Sequence, residues 1–129
     1  MTDVPHAKAD YQKFLGEMGM TEEQVQAMVQ NPLDQISLVY DDLEVRASLI
    51  HGMGMFPKRA YKAGEPLGFA RISTMRTQLG RYVNHNPDFN AIFVEMSRGK
   101  HADLLLVSTR EIRIGEEIVV DYRQAERVR

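Results

Sequence analysis

The sequence predicts a mainly β fold with N-terminal helices, the β part built as several small sheets rather than one large one. Three observations carry this. Helix-like spacing of apolar residues is confined to the stretch from about Ala7 to Asn31. Short alternating or β-branched runs fill the chain from Leu43 onward, and glycines stand at the corners between them.

The helical part comes first. Tyr11, Phe14, Leu15 and Met18 recur at three- and four-residue spacing, and Val25, Met28 and Val29 continue the pattern. Gly19 ends the first helix. Thr21-Glu22-Glu23-Gln24 reads as a capping box for the second, with Thr21 covering orphan amides and Gln24 reaching back. Asn31-Pro32 stops it. The expected unit is a helical hairpin with a linker over residues 1–42, packed on a domain over 43–129. It reads as a packing or dimer element rather than a catalytic one.

Strands follow. Leu43, Val45 and Ala47 alternate with Glu44, Arg46 and Ser48. Ala91 to Met96 and Asp103 to Thr109 are apolar and β-branched, and Ser97-Arg98-Gly99-Lys100 between them reads as a hairpin loop. Ile112, Ile114 and Ile118 to Val120 flank Gly115, which marks another turn.

Composition narrows the function. With 129 residues, 43% hydrophobic and 26% charged, the chain suits one globular domain. A net charge of −2 with no Lys/Arg block argues against a phosphate-tracking surface, so nucleic acid is not an expected partner. There are no cysteines, hence no disulfide, thiolate metal site or cysteine nucleophile. His6, His51, His85 and His101 lack i,i+3 or i,i+4 partners, so no metal is expected. No secretory h-region and no apolar run of roughly 20 residues is present. A cytoplasmic protein without a membrane partner is the expectation. Nucleophile-elbow and phosphate-loop motifs are missing, and Asp41-Asp42 and Glu116-Glu117 read as solvated charges.

Three segments exceed what packing demands. Ile50 to Phe56 contains Gly52-Met53-Gly54, which lets a backbone approach a ligand closely, though such a bend is also an ordinary turn. Arg81 to Asn90 is dense in Asn, Asp and Pro: a tight connection, or a polar loop folded against a ligand. Thr109 to Tyr122 runs from a turn glycine into an apolar strand that delivers a tyrosine. By spacing alone, that tyrosine is a core aromatic with a hydrogen-bonded hydroxyl.

In this order the segments resemble a SET domain. The resemblance rests on Ser48-x-Ile50-His51-Gly52-Met53-Gly54-Met55-Phe56, on Gly64-Glu65, on Arg81-Tyr82-Val83-Asn84-His85 with Asn90 after it, and on Gly115-Glu116-Glu117 through Asp121-Tyr122. It covers about Val45 to Tyr122. It implies a β-clip of small sheets, with a C-terminal segment threaded in a knot-like way beneath the Asn-His loop. It also implies a protein-lysine methyltransferase using S-adenosylmethionine. Gly52, Met53, Gly54, Asn84 and His85 would hold the cofactor, Tyr122 would be catalytic, and Phe69 and Tyr82 would line the substrate channel. The partner would be a protein bearing a lysine.

The implied chemistry is demanding. A lysine amine with a pKa of ~10.4 is neutral in only about one molecule in a few thousand at neutral pH, which costs on the order of 4–5 kcal/mol. An apolar channel and a nearby sulfonium both lower that pKa. Alignment for in-line attack supplies much of the remaining rate.

The chain departs from the family in being minimal. Only Pro66 to Gly80 stands where a longer insert shapes the substrate groove. Phe69 lacks the hydroxyl of the usual tyrosine, and Pro87 does not directly precede Asn90. Arg123 to Arg129 are too short for the C-terminal lid and lack its zinc cysteines. Such paring suggests a viral, phage or prokaryotic source, and a groove completed by the N-terminal hairpin or by a second subunit in a homodimer. The rival reading is a non-catalytic SET-like module that binds a protein or the cofactor. An unrelated β-rich structural protein is the remaining alternative.

Overall fold

The structure, a computed structural model, describes residue 21 and residues 35–123. The predicted helical hairpin lies outside these residues. Of the linker, the stretch 35–42 is described and packs on the body. Ile36 N–H donates to Arg76 O at 3.0 Å and Gln78 N–H to Leu38 O at 3.3 Å.

Among the described residues, eight strands form three small sheets and one short helix lies between two of the strands. β1 (Leu43–Ala47) pairs antiparallel with β2 (Met53–Pro57), Leu43 opposite Pro57 and Ala47 opposite Met53. The alternation of Leu43, Val45 and Ala47 with Glu44, Arg46 and Ser48 predicted a strand here, and β1 ends one residue short of Ser48.

The largest sheet has the order β4-β3-β7-β6, with β3 Pro66–Ile72, β4 Met75–Arg76, β6 Ala91–Arg98 and β7 His101–Ser108. The hairpin between β6 and β7 is tighter than predicted. Both strands extend until Arg98 opposes His101, and only Gly99-Lys100 turns the chain. Gly99 at φ 56° supplies the left-handed residue that so short a turn requires.

Between β4 and the Asn-His segment lies α1 (Gln78–Tyr82), a helix not predicted from the sequence. Thr77 caps it, accepting from Gly80 N–H at 3.2 Å and donating from Oγ1 to Phe69 O at 2.6 Å. One residue thereby both starts the helix and fastens it to β3.

The third sheet decides the architecture. β5 (Asn84–His85) runs parallel to β8 (Val119–Val120), Asn84 opposite Val119 and His85 opposite Val120. Asn90 clamps this pairing. Its Nδ2 donates to Glu117 O and its Oδ1 accepts from Val119 N–H, each at 2.9 Å, and Asn90 is 1% exposed. Gly115, at φ 87°, turns the chain as predicted. Ile114 beside it is 68% exposed rather than part of a strand, because regular pairing resumes only at Val119.

A single core joins the sheets: Leu43 and Met55 of the first, Leu67, Phe93, Leu104 and Leu106 of the second, and Val120 of the third, with Leu79 of α1. The described body is thus mostly β with several small sheets. Among the described residues no helix is long and apolar enough to cross a membrane.

Candidate active site

The chain from Ser48 to Gly54 connects β1 to β2 and folds around one hydroxyl. Ser48 Oγ accepts from Ile50 N–H at 2.9 Å and His51 N–H at 3.2 Å, while Ser48 N–H donates to Gly52 O at 2.8 Å. Gly52 sits at φ 50°, which a side chain rarely tolerates. Gly52 and Met53 are exposed, Met53 at 46%.

Asn84 reaches across from β5 and is nearly buried. Its Nδ2 lies 3.1 Å from His51 O, 3.2 Å from Met53 O, 3.0 Å from Ser48 Oγ and 2.8 Å from Glu117 Oε2. All four are acceptors here, so the amide has its nitrogen on this side and Oδ1 directed away. Two hydrogens shared among four acceptors make these bonds partly bifurcated.

Glu117 completes this arrangement. Ser48 Oγ donates to its carboxylate, 2.8 Å from Oε1 and 3.0 Å from Oε2. Burial pushes the Glu117 carboxyl above its ordinary pKa, against the opposing pull of the Asn84 and Ser48 hydrogen bonds. The expectation that Glu116-Glu117 would be solvated is therefore corrected. Glu116 does pair at the surface with Arg110, at 2.6 Å, but Glu117 turns inward to Ser48 and Asn84, in the irregular stretch before the chain bridges to Met55 at Ile118.

His85, 1% exposed, accepts from Tyr122 N–H through Nδ1 at 3.0 Å. The lone pair therefore lies on Nδ1, and the 3.6 Å approach of Asp121 Oδ1 is not a hydrogen bond from that atom. Burial raises the Asp121 carboxyl, but side-chain and backbone hydrogen bonds from Arg123 outweigh it and hold the group below its ordinary value.

Tyr122 stands tilted against the His85 ring, centroids 5.3 Å apart, and its hydroxyl donates to Val83 O at 2.8 Å. With that proton committed, the phenol oxygen offers its lone pairs and acts as an acceptor.

Gly52, Met53, Gly54, Asn84, His85 and Tyr122 are thus brought to one locus from three distant segments. Phe69 and Tyr82 are half-buried on β3 and at the end of α1. Phe69 N–H donates to Tyr40 Oη at 2.7 Å, and Arg81 lies 5.9 Å over the Tyr82 ring. Ser48 and Glu117 received no role from the sequence. Their partners are 36 and 69 residues away, a separation that no local pattern reports.

The SET domain family model matches residues 69–123, the segment that holds Asn84, His85, Glu117 and Tyr122. Histone-lysine N-methyltransferase set1 of Dictyostelium discoideum is 35% identical over 51 residues, 40% of this chain. The chain spans about 3% of that relative's length. The fold of the SET segment and its surroundings is shared with solved structures. A Plasmodium falciparum protein assigned as a histone methyltransferase superposes with a TM-score of 0.56 at 14% identity, over 65% of this chain and 95% of that one. A humanized mutant of the Chaetomium thermophilum Polycomb Repressive Complex 2 gives 0.55 at 17% identity, over 65% of this chain and 15% of that one. These likenesses identify a SET-type fold.

Proposed function

We propose that the protein transfers a methyl group from S-adenosylmethionine to a lysine ε-amine of a protein substrate. The observation that carries this reading is the Tyr122 hydroxyl. It is anchored to Val83 O at 2.8 Å, next in sequence to the Asn84-His85 pair that meets the Gly52–Gly54 loop.

The residues suit the cofactor. Gly52 and Met53 present exposed backbone, and the surrounding groups are chiefly acceptors: backbone carbonyls, the Tyr122 oxygen, and the Glu117 and Asp121 carboxylates. With Glu117 excepted, because its oxygens are already taken by Ser48 and Asn84, such a set favours a ligand carrying sulfonium and ammonium charge. Gly52, Met53, Gly54, Asn84 and His85 would hold it, and when bound it supplies an electrophilic methyl group.

The chain's own residues then do the positioning. The Tyr122 oxygen, its proton held by Val83 O, accepts an N–H from the incoming neutral amine and turns the nitrogen lone pair toward the methyl carbon. Half-buried Phe69 and Tyr82 are assigned to the channel wall, where an apolar lining favours the neutral amine. The parallel β5–β8 pairing supports a C-terminal segment threaded beneath the Asn-His loop. The N-terminal hairpin or a second subunit would complete the groove.

Calorimetry with S-adenosylmethionine, followed by radiolabelled methyl transfer to lysine-bearing protein, tests the reading. Tyr122→Phe is expected to lose at least tenfold in turnover while keeping cofactor affinity within about threefold, since an alignment contact of this kind is worth one or more decades. No cofactor binding at millimolar concentration would sink the proposal.

A further inference from the structure

One half-buried carboxylate has no place in the chemistry above. Glu117 touches neither Tyr122 nor the Val83 carbonyl in any hydrogen bond described. It instead bridges the Ser48 hydroxyl and the Asn84 amide, each within 3.0 Å. Those two side chains are the ones that organise the β1–β2 loop. Ser48 gathers the amides of Ile50 and His51, and Asn84 gathers the carbonyls of His51 and Met53.

Gly54 explains how a carboxylate enters this space. A Cβ built on Gly54 would overlap the Glu117 carboxylate, whose carboxyl carbon would be 2.8 Å away, and would stand 3.2 Å from Asn84 Nδ2. The room left by the second glycine of Gly52-Met53-Gly54 is therefore filled from within by Glu117. It is not a cradle open to a ligand. Its φ is not in the left-handed region either, so space rather than backbone conformation is what requires glycine here.

We propose that Glu117 is a positioning residue, whose carboxylate, seated over Gly54 and bridging Ser48 to Asn84, holds the 48–54 loop and the Asn84 amide in the orientation that receives the cofactor. This rests on the methyltransferase reading for the identity of the ligand, but the loop-holding role is a property of the chain alone. A neutral Gln keeps one oxygen for Asn84, so the bridge depends on acceptor geometry and not on charge toward the ligand.

The test pairs amide hydrogen exchange on the free protein with calorimetry against S-adenosylmethionine. Glu117→Ala is expected to speed exchange at residues 49–54 at least tenfold while β6 and β7 keep their protection, and to weaken cofactor binding at least tenfold. Glu117→Gln should return affinity to within about threefold of the parent and restore most of the protection. Unchanged exchange and affinity in Glu117→Ala would overturn the proposal. Acceleration spread evenly over β6 and β7 would overturn it too, as would Glu117→Gln impaired as severely as Glu117→Ala. Should Glu117→Ala not fold, Ser48→Ala removes the other half of the bridge and is expected to loosen the same loop. A protected loop in that variant also counts against the proposal. If the parent protein binds no cofactor, the functional reading fails, whereas the exchange result still decides the role of Glu117.

Discussion

At the scale of single residues, the site is held by groups whose roles depend on where their protons lie. Tyr122 gives its proton to Val83 O, and His85 offers an Nδ1 lone pair to the Tyr122 amide. Asn84 turns its nitrogen toward the loop carbonyls. Asn84→Ala removes that amide, and cofactor affinity should drop about tenfold or more, for one to two lost hydrogen bonds. Calorimetry reads this directly. Glu117 adds a pH dependence whose sign follows from burial. Its folded-state pKa is raised, so the neutral carboxyl is the form the fold prefers. The stability this group contributes is present below the ordinary carboxyl range and is lost as pH rises through the elevated folded value. Glu117→Gln cannot ionise, and thermal melts should show a flatter stability curve above pH 5 and a Tm at pH 7.5 no lower than the parent's. A carboxylate retained against its own desolvation fits a functional role better than a stabilising one.

Among the elements, α1 lies close against β3. Thr77 joins its first turn to β3, and Gly80 lies against the Ala70 carbonyl so closely that a Cβ would overlap it. Gly80→Ala would raise helix propensity in isolation, yet here it must push α1 off β3. A loss of about 1–3 kcal/mol is expected from urea unfolding, the range for overpacking. Thr77→Ala should cost about 1–2 kcal/mol through the lost cap. β3 has its own accommodation. Gly68 at φ 149° lies under the Tyr40 ring, whose hydroxyl takes the Phe69 amide, and the pairing of β3 with β7 shifts register on either side. Thus the aromatic beside Phe69 is supplied by the linker before β1, not by β3 itself.

Over the whole molecule, three segments far apart in sequence are closed by a two-residue parallel pairing and one asparagine. Asn90 bonds to Glu117 O and Val119 N–H across 27 and 29 residues. Asn90→Ala would leave both groups buried without that partner, at a cost of about 2–4 kcal/mol for two unsatisfied groups. The loss should appear in urea melts and as faster exchange around β5 and β8. The family match begins at residue 69, so β1, β2 and the Gly-x-Gly loop stand outside it. Asn84 and Glu117 tie that loop to the matched segment, so the site is a property of the folded whole.

What the sequence alone determined is what depends on neighbours along the chain. The alternation of Leu43 to Ala47 marked β1, the Gly99 and Gly115 turns were placed, and the Asn-dense stretch after His85 forms its expected local bond, Asn86 Oδ1 accepting from Asp88 N–H at 2.8 Å. The ordered motifs also named the SET resemblance. The tertiary structure alone decided that Glu117 turns inward, that Gly54 makes room for it, and that Tyr122 gives its proton to a carbonyl 39 residues earlier. α1 belongs with these, since five residues are too few to form a helix without the cap and the strand beneath. Local spacing reports the period of a strand or the bend of a turn. Which polar groups come together after the chain has closed is set by contacts with no signature in spacing.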